Sequence, residues 1–90
     1  MTPDRRRLLY RAMHRGFKEA DLLIGNFAKD HLETLTDEEV EEFATLLEVP
    51  DQVLYSWLIG TGDVPAEYDG PVFRKLKAFD VSAIVMSGRF

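Results

Sequence analysis

The residue types that most often carry chemistry are sparse in this sequence. Its two histidines, His14 and His31, lie seventeen residues apart and match neither the HxxxH nor the HExxH spacing of metal sites. Cysteine is absent, which excludes a thiolate zinc site, a cysteine nucleophile and a disulfide framework. No serine lies in a GxSxG turn, and Gly60-Thr61-Gly62 lacks the remaining glycine and the strand of a dinucleotide-binding loop. The sequence therefore predicts neither catalytic residues nor a metal site, and a protein that is not an enzyme.

The most informative segment is Arg15-Gly16-Phe17-Lys18-Glu19-Ala20-Asp21. One interpretation makes it a helix–helix corner, in which Gly16 turns the chain. The negative charge of Asp21 would then stabilise the start of the next helix, where the helix dipole is positive. The other makes it a contact surface, because a glycine lets another protein's backbone come close. Arg15 would then present a planar set of donors and Glu19 an acceptor. The residues alone leave both interpretations open.

The net charge of −5 conceals a strong asymmetry along the chain. Residues 1–18 carry a net charge of +5, whereas residues 19–51 carry a net charge of −10. A basic segment on an acidic body indicates either electrostatic steering of a partner or two solvated helix faces. The acidic body would repel the phosphates of a nucleic acid.

Capping signals and apolar spacing begin to divide the chain into helices. Thr2-Pro3 predicts an N-cap followed by proline at the first helical position, and Gly16 is expected to end this first helix. Apolar residues at three-and-four spacing predict a second helix over about residues 17–31. Gly25 inside it is unfavourable by about 1 kcal/mol relative to alanine, so we expect another helix to pack closely there.

Three shorter helices follow. Thr36 and Glu39 have the spacing of a capping box, which predicts the start of a third helix. Asp51 is expected to cap a fourth helix that Gly60 terminates, and Pro71 is expected to open a fifth. The fold class predicted from these segments is all-α, a small five-helix bundle.

One face of each helix supplies the expected core. Trp57 is assigned to it, because an aromatic residue at helical spacing is more often buried than free to bind a partner. Glu38, Glu41 and Glu42 of the third helix are assigned to a solvated face. The other expected core positions are Leu8, Leu9, Ala12, Met13, Phe17, Ala20, Ile24, Phe27, Ala28, Leu32, Val40, Phe43, Ala44, Leu47, Val53, Leu54, Leu58, Val72, Phe73, Leu76 and Phe79.

Ninety residues are enough for one ordinary domain, here a single helical domain over residues 1–90. Its core is expected over about residues 3–79. Residues 80–90 are apolar but short, and they form either an ordered tail or a frayed end. No apolar stretch approaches the ~20 residues that a membrane-spanning helix needs, so direct membrane insertion is not expected.

The corner segment also carries a resemblance to a known family. Arg15-Gly16-x-x-Glu19, followed by Asp21, resembles the RGxxE signature of the succinate dehydrogenase assembly factors, which are small flavinylation factors of bacteria and mitochondria. Arg7-Leu8-Leu9-Tyr10 is similar to the helix that precedes this signature, and residues 27–32 are similar to its second helix. The resemblance covers about residues 5–79 and includes, in matching order and spacing, Leu22-Leu23, Leu46-Leu47-Glu48, Asp51 and Trp57-Leu58.

The resemblance implies a five-helix bundle that acts as a chaperone rather than as a catalyst. Its implied partner is the flavoprotein subunit of succinate dehydrogenase, and often also that of fumarate reductase. Its implied role is to promote covalent attachment of FAD to a histidine of that subunit. FAD is then the client's cofactor, and the chain itself binds none tightly. Carried over by position, partner binding falls to Arg15, Gly16, Glu19 and Asp21, and by adjacency to Tyr10, Arg11 and Phe17.

The sequence also departs from the family's pattern. His14 stands where members usually carry Arg or Lys, so one basic contact is missing or depends on pH. Mitochondrial members carry a targeting extension, whereas this chain begins at its first helix, so we expect a bacterial cytoplasmic protein. Because its acidic body repels phosphates, no nucleic-acid partner is expected. Two alternatives stay open: a direct FAD carrier or transferase, and a nucleic-acid-binding or regulatory module that uses the basic residues 5–18. The resemblance implies nothing about self-association.

Overall fold

The computed structural model describes residues 2–79, and within this range the chain forms five α-helices. This confirms the all-α five-helix bundle predicted from the sequence. No helix in the described range is both long and apolar enough to cross a membrane. The prediction of a tail at residues 80–90 lies outside the described residues. The helices are α1 (Pro3–Met13), α2 (Lys18–His31), α3 (Asp37–Leu47), α4 (Asp51–Ile59) and α5 (Pro71–Ala78), with a 3₁₀ turn at Ala66–Tyr68.

Local signals set several of the helix ends as predicted. Thr2 caps α1, because its hydroxyl oxygen accepts the backbone N–H of Arg5 at 3.2 Å. At α3, the Thr36 hydroxyl oxygen accepts the N–H of Glu39 at 3.1 Å, and the Glu39 carboxylate accepts the N–H of Thr36 at 2.9 Å. Gly60 ends α4 in the left-handed conformation, with φ at 86°. These ends depend on residues within one turn, which is why spacing alone predicts them.

Two expected helix ends are wrong. Gly16 does not end α1, because the helix already stops at Met13, where His14 leaves the helical conformation with φ at −131°. Asp51 does not cap α4, because Pro50 occupies the N-cap position and Asp51 lies in the first turn. The carboxylate of Asp51 binds Arg15 instead, at 2.7 Å.

The core forms where all five helices meet. Phe27, Phe43 and Phe73 are almost completely buried at its centre, and Trp57 is buried with 7% exposure, as expected. Met13 and Val53 were expected in the core but are exposed by 39% and 41%. Both lie beside the buried stripe of their helix rather than within it. Leu9, Phe17, Val40, Ala44 and Phe79 pack at the edge of the core and are partly buried.

Helices α1 and α2 approach each other closely at Gly25. A Cβ atom on this glycine would lie 3.1 Å from the Cα of Met13 and 3.4 Å from the carbonyl oxygen of Ala12. The backbone of α1 therefore occupies the space that a side chain would need. This confirms close packing of another helix as the reason for Gly25.

Arg5 ties α1 to the connection between α2 and α3. One of its terminal nitrogens donates to the carbonyl oxygens of Leu32 and Leu35, each at 2.7 Å. Its other terminal nitrogen forms an ion pair with Asp37 at 3.2 Å. These carbonyls follow the end of α2, where a helix leaves its last acceptors without partners inside the helix. A residue assigned to a basic face is thus a structural brace.

Glu42 ties α3 to the start of α5. One of its carboxylate oxygens accepts the backbone N–H groups of Val72 and Phe73, at 2.9 and 3.1 Å. The assignment of Glu42 to a solvated face is therefore wrong. Gly70 makes room for this contact, because a Cβ there would lie 2.6 Å from the same carboxylate. A carboxylate at this position also complements the positive end of the α5 dipole.

We expect Glu42→Ala to destabilise the protein by about 1–2 kcal/mol, because the N–H groups that begin α5 lose their acceptor. Urea denaturation followed by circular dichroism would measure the change. Glu41→Ala is the matched control, because Glu41 is exposed on the same helix and its replacement by alanine changes helix propensity by the same amount. Equal stabilities of the two variants would contradict the capping role of Glu42.

The pKa of Glu39 is lowered, because Lys75 donates a hydrogen bond to its carboxylate and the backbone N–H of Thr36 donates another. The unfolded chain titrates near the ordinary value, about 4.3. The ionised form therefore stabilises the fold fully above about pH 5, and this contribution is lost as the pH falls through the lower folded value. We expect the stability difference between wild type and Glu39→Gln, measured by urea denaturation, to be full at pH 6 and to shrink as the pH falls below about 4.

Lys75→Gln is the control for this titration, because it removes the larger cause of the lowered pKa and leaves the capping box in place. In the Lys75→Gln background, the same comparison should show a smaller dependence on pH. A difference that stays constant from pH 6 to pH 3 would contradict the assignment.

Candidate functional site

Four residues, 14–17, connect α1 to α2 and form an exposed corner. At its centre, Gly16 has φ at +128°, a backbone conformation that favours glycine. A Cβ atom on Gly16 would also lie 2.8 Å from a carboxylate oxygen of Asp51. Two separate reasons inside the fold therefore require glycine here. The outer side of Gly16 stays exposed, so it also remains accessible to another protein.

Arg15 points from this corner into the protein, and its side chain is only 7% exposed. One terminal nitrogen donates to the carbonyl oxygen of Leu47 at 2.7 Å, and the other donates to that of Val49 at 2.9 Å. The second nitrogen also forms an ion pair with Asp51 at 2.7 Å. Because these acceptors extend from the last residue of α3 to the first residue of α4, the guanidinium holds the α1–α2 corner against the α3–α4 connection.

Asp21 holds the same corner from the α2 side. Its carboxylate accepts the backbone N–H of Arg15 in a short hydrogen bond. The two terminal nitrogens of Arg15 and the carboxylate of Asp21 are therefore used within the chain, whereas the buried Nε of Arg15 has no hydrogen-bond partner among residues 2–79. The structure thus uses both predicted contact residues to position the backbone of the corner: Arg15 is buried beneath it, and Asp21 is partly exposed beside it.

The other predicted contact residues lie nearer the solvent. Glu19 is exposed in the first turn of α2. Tyr10 is 65% exposed on α1, and its ring stacks on that of His14 with centroids 4.0 Å apart. Arg11 is half-exposed and forms an ion pair with Glu48 at 3.0 Å. Phe17 is half-buried and meets Tyr55 edge to face.

The basic segment predicted from the sequence is not an open cationic face. The guanidinium groups of Arg5 and Arg15 donate hydrogen bonds to backbone carbonyls of the chain, and Arg11 forms an ion pair with Glu48. Arg7 lies 3.8 Å from Asp4 on α1. This pairing lowers the field that residues 5–18 present to a polyanion, which argues against a nucleic-acid surface.

A groove of about 430 Å³ opens beside the corner, along the outer face of α2. Within residues 2–79 no group of three or more histidine, aspartate or glutamate side chains could hold a metal ion. The groove offers a concave shape with apolar and charged side chains. Its lining consists of Met13, Gly16, Phe17, Lys18, Asp21, Leu22, Gly25, Asn26 and Lys29.

Sequence reasoning missed two parts of this site. Asp51 was assigned to a helix cap, and nothing in its own neighbourhood signals a partner more than thirty residues earlier in the chain. The groove was not anticipated either, although Lys29 is the sole base among residues 19–51. That isolation is the signal that could have directed attention to the outer face of α2.

Comparison with known proteins gives a consistent result. A family model described as the flavinator of succinate dehydrogenase matches residues 6–80. The FAD assembly factor SdhE of Acetobacter pasteurianus is 43% identical over 76 residues, which cover 84% of this chain and 70% of that protein. No solved structure matches the chain.

Mitochondrial proteins are similar over nearly the same range. The succinate dehydrogenase assembly factor 2 of Dictyostelium discoideum is 34% identical over 70 residues, covering 78% of this chain and 50% of that protein. The protein of the same name from Cryptococcus neoformans is 38% identical over 74 residues, covering 81% and 42%. The match thus spans about half of each mitochondrial relative or less.

Removing the anchor of Arg15 should destabilise the whole corner. We expect Asp51→Ala to lower the free energy of unfolding by about 1–3 kcal/mol, because it leaves a buried guanidinium without its counter-ion. The effect falls short of that for a fully buried pair, because the Asp51 side chain is 28% exposed. Urea denaturation would measure it, with the exposed Asp63→Ala as a control for the same change in charge. Equal stability of the two variants would contradict the bracing role.

Proposed function

Because the chain belongs to the family of flavinators of succinate dehydrogenase, we propose that it binds the flavoprotein subunit of that enzyme and promotes covalent attachment of FAD. It acts as an assembly factor and is not an enzyme. Its contribution to the reaction is therefore a surface that holds the client in a competent arrangement. The client supplies the reacting groups and the FAD.

The observation that carries this proposal is the geometry of the α1–α2 corner. Gly16 and Glu19 are exposed there, and the guanidinium of Arg15 anchors the same corner to the α3–α4 connection. A surface held in one arrangement before binding loses little conformational freedom on docking. A rigid corner is therefore suited to select one arrangement of a client that is more mobile than itself.

We assign different roles to the predicted contact residues. Gly16 and Glu19 form the centre of the contact, where an exposed glycine allows close approach and a carboxylate can pair with a cationic or N–H group of the client. Tyr10, Arg11 and Phe17 extend the contact along α1 and towards α4. Arg15 and Asp21 are positioning residues, which act through the backbone of the corner rather than by touching the client.

Several finer features belong to the same proposal. FAD enters as the cofactor of the client, and the chain itself holds none tightly. The flavoprotein subunit of fumarate reductase, which has the same kind of chemistry to complete, is proposed as a second client. The proposed compartment is the bacterial cytoplasm, which the similarity to the Acetobacter factor supports. The pairing of the basic segment supports a protein client over a nucleic acid.

We expect Glu19→Ala to weaken binding to the FAD-free flavoprotein subunit at least tenfold, mainly through faster dissociation. Loss of a charge that pairs across an interface typically costs about 2–5 kcal/mol of binding free energy. The melting temperature should stay within about 2 °C, because Glu19 is exposed. Surface-binding kinetics and the rate of covalent flavin incorporation would measure both effects.

Glu41→Ala is the matched control for this experiment, since Glu41 is an equally exposed acid on α3, away from the corner. It should leave both binding and flavin incorporation unchanged. Unaltered affinity of Glu19→Ala would remove Glu19 from the contact. Failure of the wild-type protein to bind the subunit would contradict the proposed function itself.

A further inference from the structure

The groove beside the corner follows a single face of α2. Its α2 residues from Lys18 to Lys29 recur at three-and-four spacing, which places them on one side of the helix. At 1.5 Å per residue, this face extends over about 16 Å. Gly25 forms part of the floor and lets α1 lie against it, with the backbone of Met13 in the place of a side chain. The volume of about 430 Å³ is within the range of protein binding pockets.

The lining combines an apolar floor with charged ends. Met13, Phe17 and Leu22 supply apolar surface, and Met13 is 39% exposed there. The amide of Asn26 donates to the carbonyl oxygen of Leu22 at 2.7 Å, so its polar head is turned onto its own helix. The carboxylate of Asp21 is engaged by the backbone of Arg15. Exposed apolar surface with charge at its rim is typical of a site that receives a protein side chain.

Charge complementarity identifies the occupant. Residues 19–51 carry eleven acids, and Lys29 is their sole base. The groove lining carries two bases, Lys18 and Lys29, against one acid, Asp21, so it attracts an acidic group that the rest of residues 19–51 repels. An apolar side chain beside that acidic group would cover the floor formed by Met13 and Leu22.

The groove is also continuous with the proposed contact surface. Gly16 and Phe17 belong both to the corner and to the groove lining. A client that docks on the corner therefore passes over the mouth of the groove. The same docking can therefore place a segment of the client in the groove.

We propose that this groove receives a segment of the client flavoprotein in which an apolar side chain stands next to a carboxylate. The proposal rests on the proposed function and names the chemistry of the client segment. The apolar side chain lies on Met13, Phe17 and Leu22, and the carboxylate lies against Lys29. The groove holds the client in register, while Gly16 and Glu19 form the central contact.

The first experiment fills the groove. Asn26→Trp places a large side chain in it, and Gln52→Trp makes a comparable change at an exposed position of α4. We expect Asn26→Trp to weaken binding to the purified FAD-free flavoprotein subunit at least tenfold and Gln52→Trp to leave it within twofold of wild type. Urea denaturation of each variant would confirm that it is folded. Equal affinities of the two folded variants would overturn the proposal.

The second experiment tests the charge and does not depend on packing. Lys29→Glu should weaken binding about three- to tenfold at low salt, and the difference should shrink as the salt concentration rises. Lys77→Glu, an exposed base on α5 outside the groove, is the matched control and should change affinity less than twofold. If Asn26→Trp does not fold, this comparison decides the matter: equal effects at both positions overturn the proposal.

The third experiment identifies the occupant. A photoreactive benzoylphenylalanine at position 29, and for comparison at position 77, would be cross-linked to the purified subunit and the joined peptide read by mass spectrometry. We expect position 29 alone to capture one client segment with an apolar residue within one turn of an aspartate or glutamate. Capture of a second copy of this chain, of a segment without a carboxylate, or of free FAD added to the mixture would overturn the proposal.

These results separate the two levels of inference. Wild-type binding that Glu19→Ala weakens, but that Asn26→Trp and Lys29→Glu leave unchanged, would overturn the groove and leave the proposed function standing. No binding of the wild-type protein to the flavoprotein subunit would overturn both.

Discussion

The rest of this structure depends on the contacts of one buried group, the guanidinium of Arg15. It joins the corner between α1 and α2 to the connection between α3 and α4, through two backbone carbonyls and the carboxylate of Asp51. A buried charge of this kind is favourable only when its donors meet well-placed acceptors. The two terminal nitrogens of Arg15 meet this requirement at the end of α3, where backbone carbonyls lack donors within the helix, while its buried Nε has no hydrogen-bond partner in the described part of the chain. Loss of Asp51 or displacement of Gly16 would therefore disturb both connections at once.

Arg5 makes the same kind of contact near the start of α1. Its guanidinium donates to carbonyls that follow α2, so two arginines of the N-terminal segment hold two different interhelical connections. A chain of ninety residues has a thin core, and polar bracing at the connections supplements what apolar burial provides. Glu42 extends the principle to α5, whose first N–H groups it accepts. Three charged residues of this sequence, Arg5, Arg15 and Glu42, thus serve internal contacts, whereas acids such as Glu38 and Glu41 stay exposed.

This construction explains how a protein without catalytic residues can assist a covalent reaction in its client. The corner at Gly16 is held in place from beneath, so its exposed side presents one arrangement of backbone and side chains. The groove along α2 continues that surface, and close packing of α1 at Gly25 shapes its floor. In the proposed complex, the corner makes a central polar contact and the groove a neighbouring apolar one. Two contacts at a constant separation restrict the orientation of a bound partner more than either contact alone.

The sequence by itself determined the features that depend on neighbouring residues. The capping box at Thr36 and Glu39, the glycine that ends α4 and the apolar spacing of α2 each act within a few residues, so the five helices and most of their buried faces could be predicted. The RGxxE resemblance likewise located the corner and its exposed Glu19.

Only the tertiary structure decided what the polar side chains of that corner contact. Arg15 and Asp51, or Glu42 and the start of α5, lie far apart in the chain and meet because the packed helices bring them together. An exposed acid and a bracing acid look the same in the sequence, since both follow the helical spacing of polar residues. The groove arises in the same way, because its floor requires α1 to cross α2 at Gly25. Local signals set where each helix begins and ends, and the packing of the helices set which charges remained available to a partner.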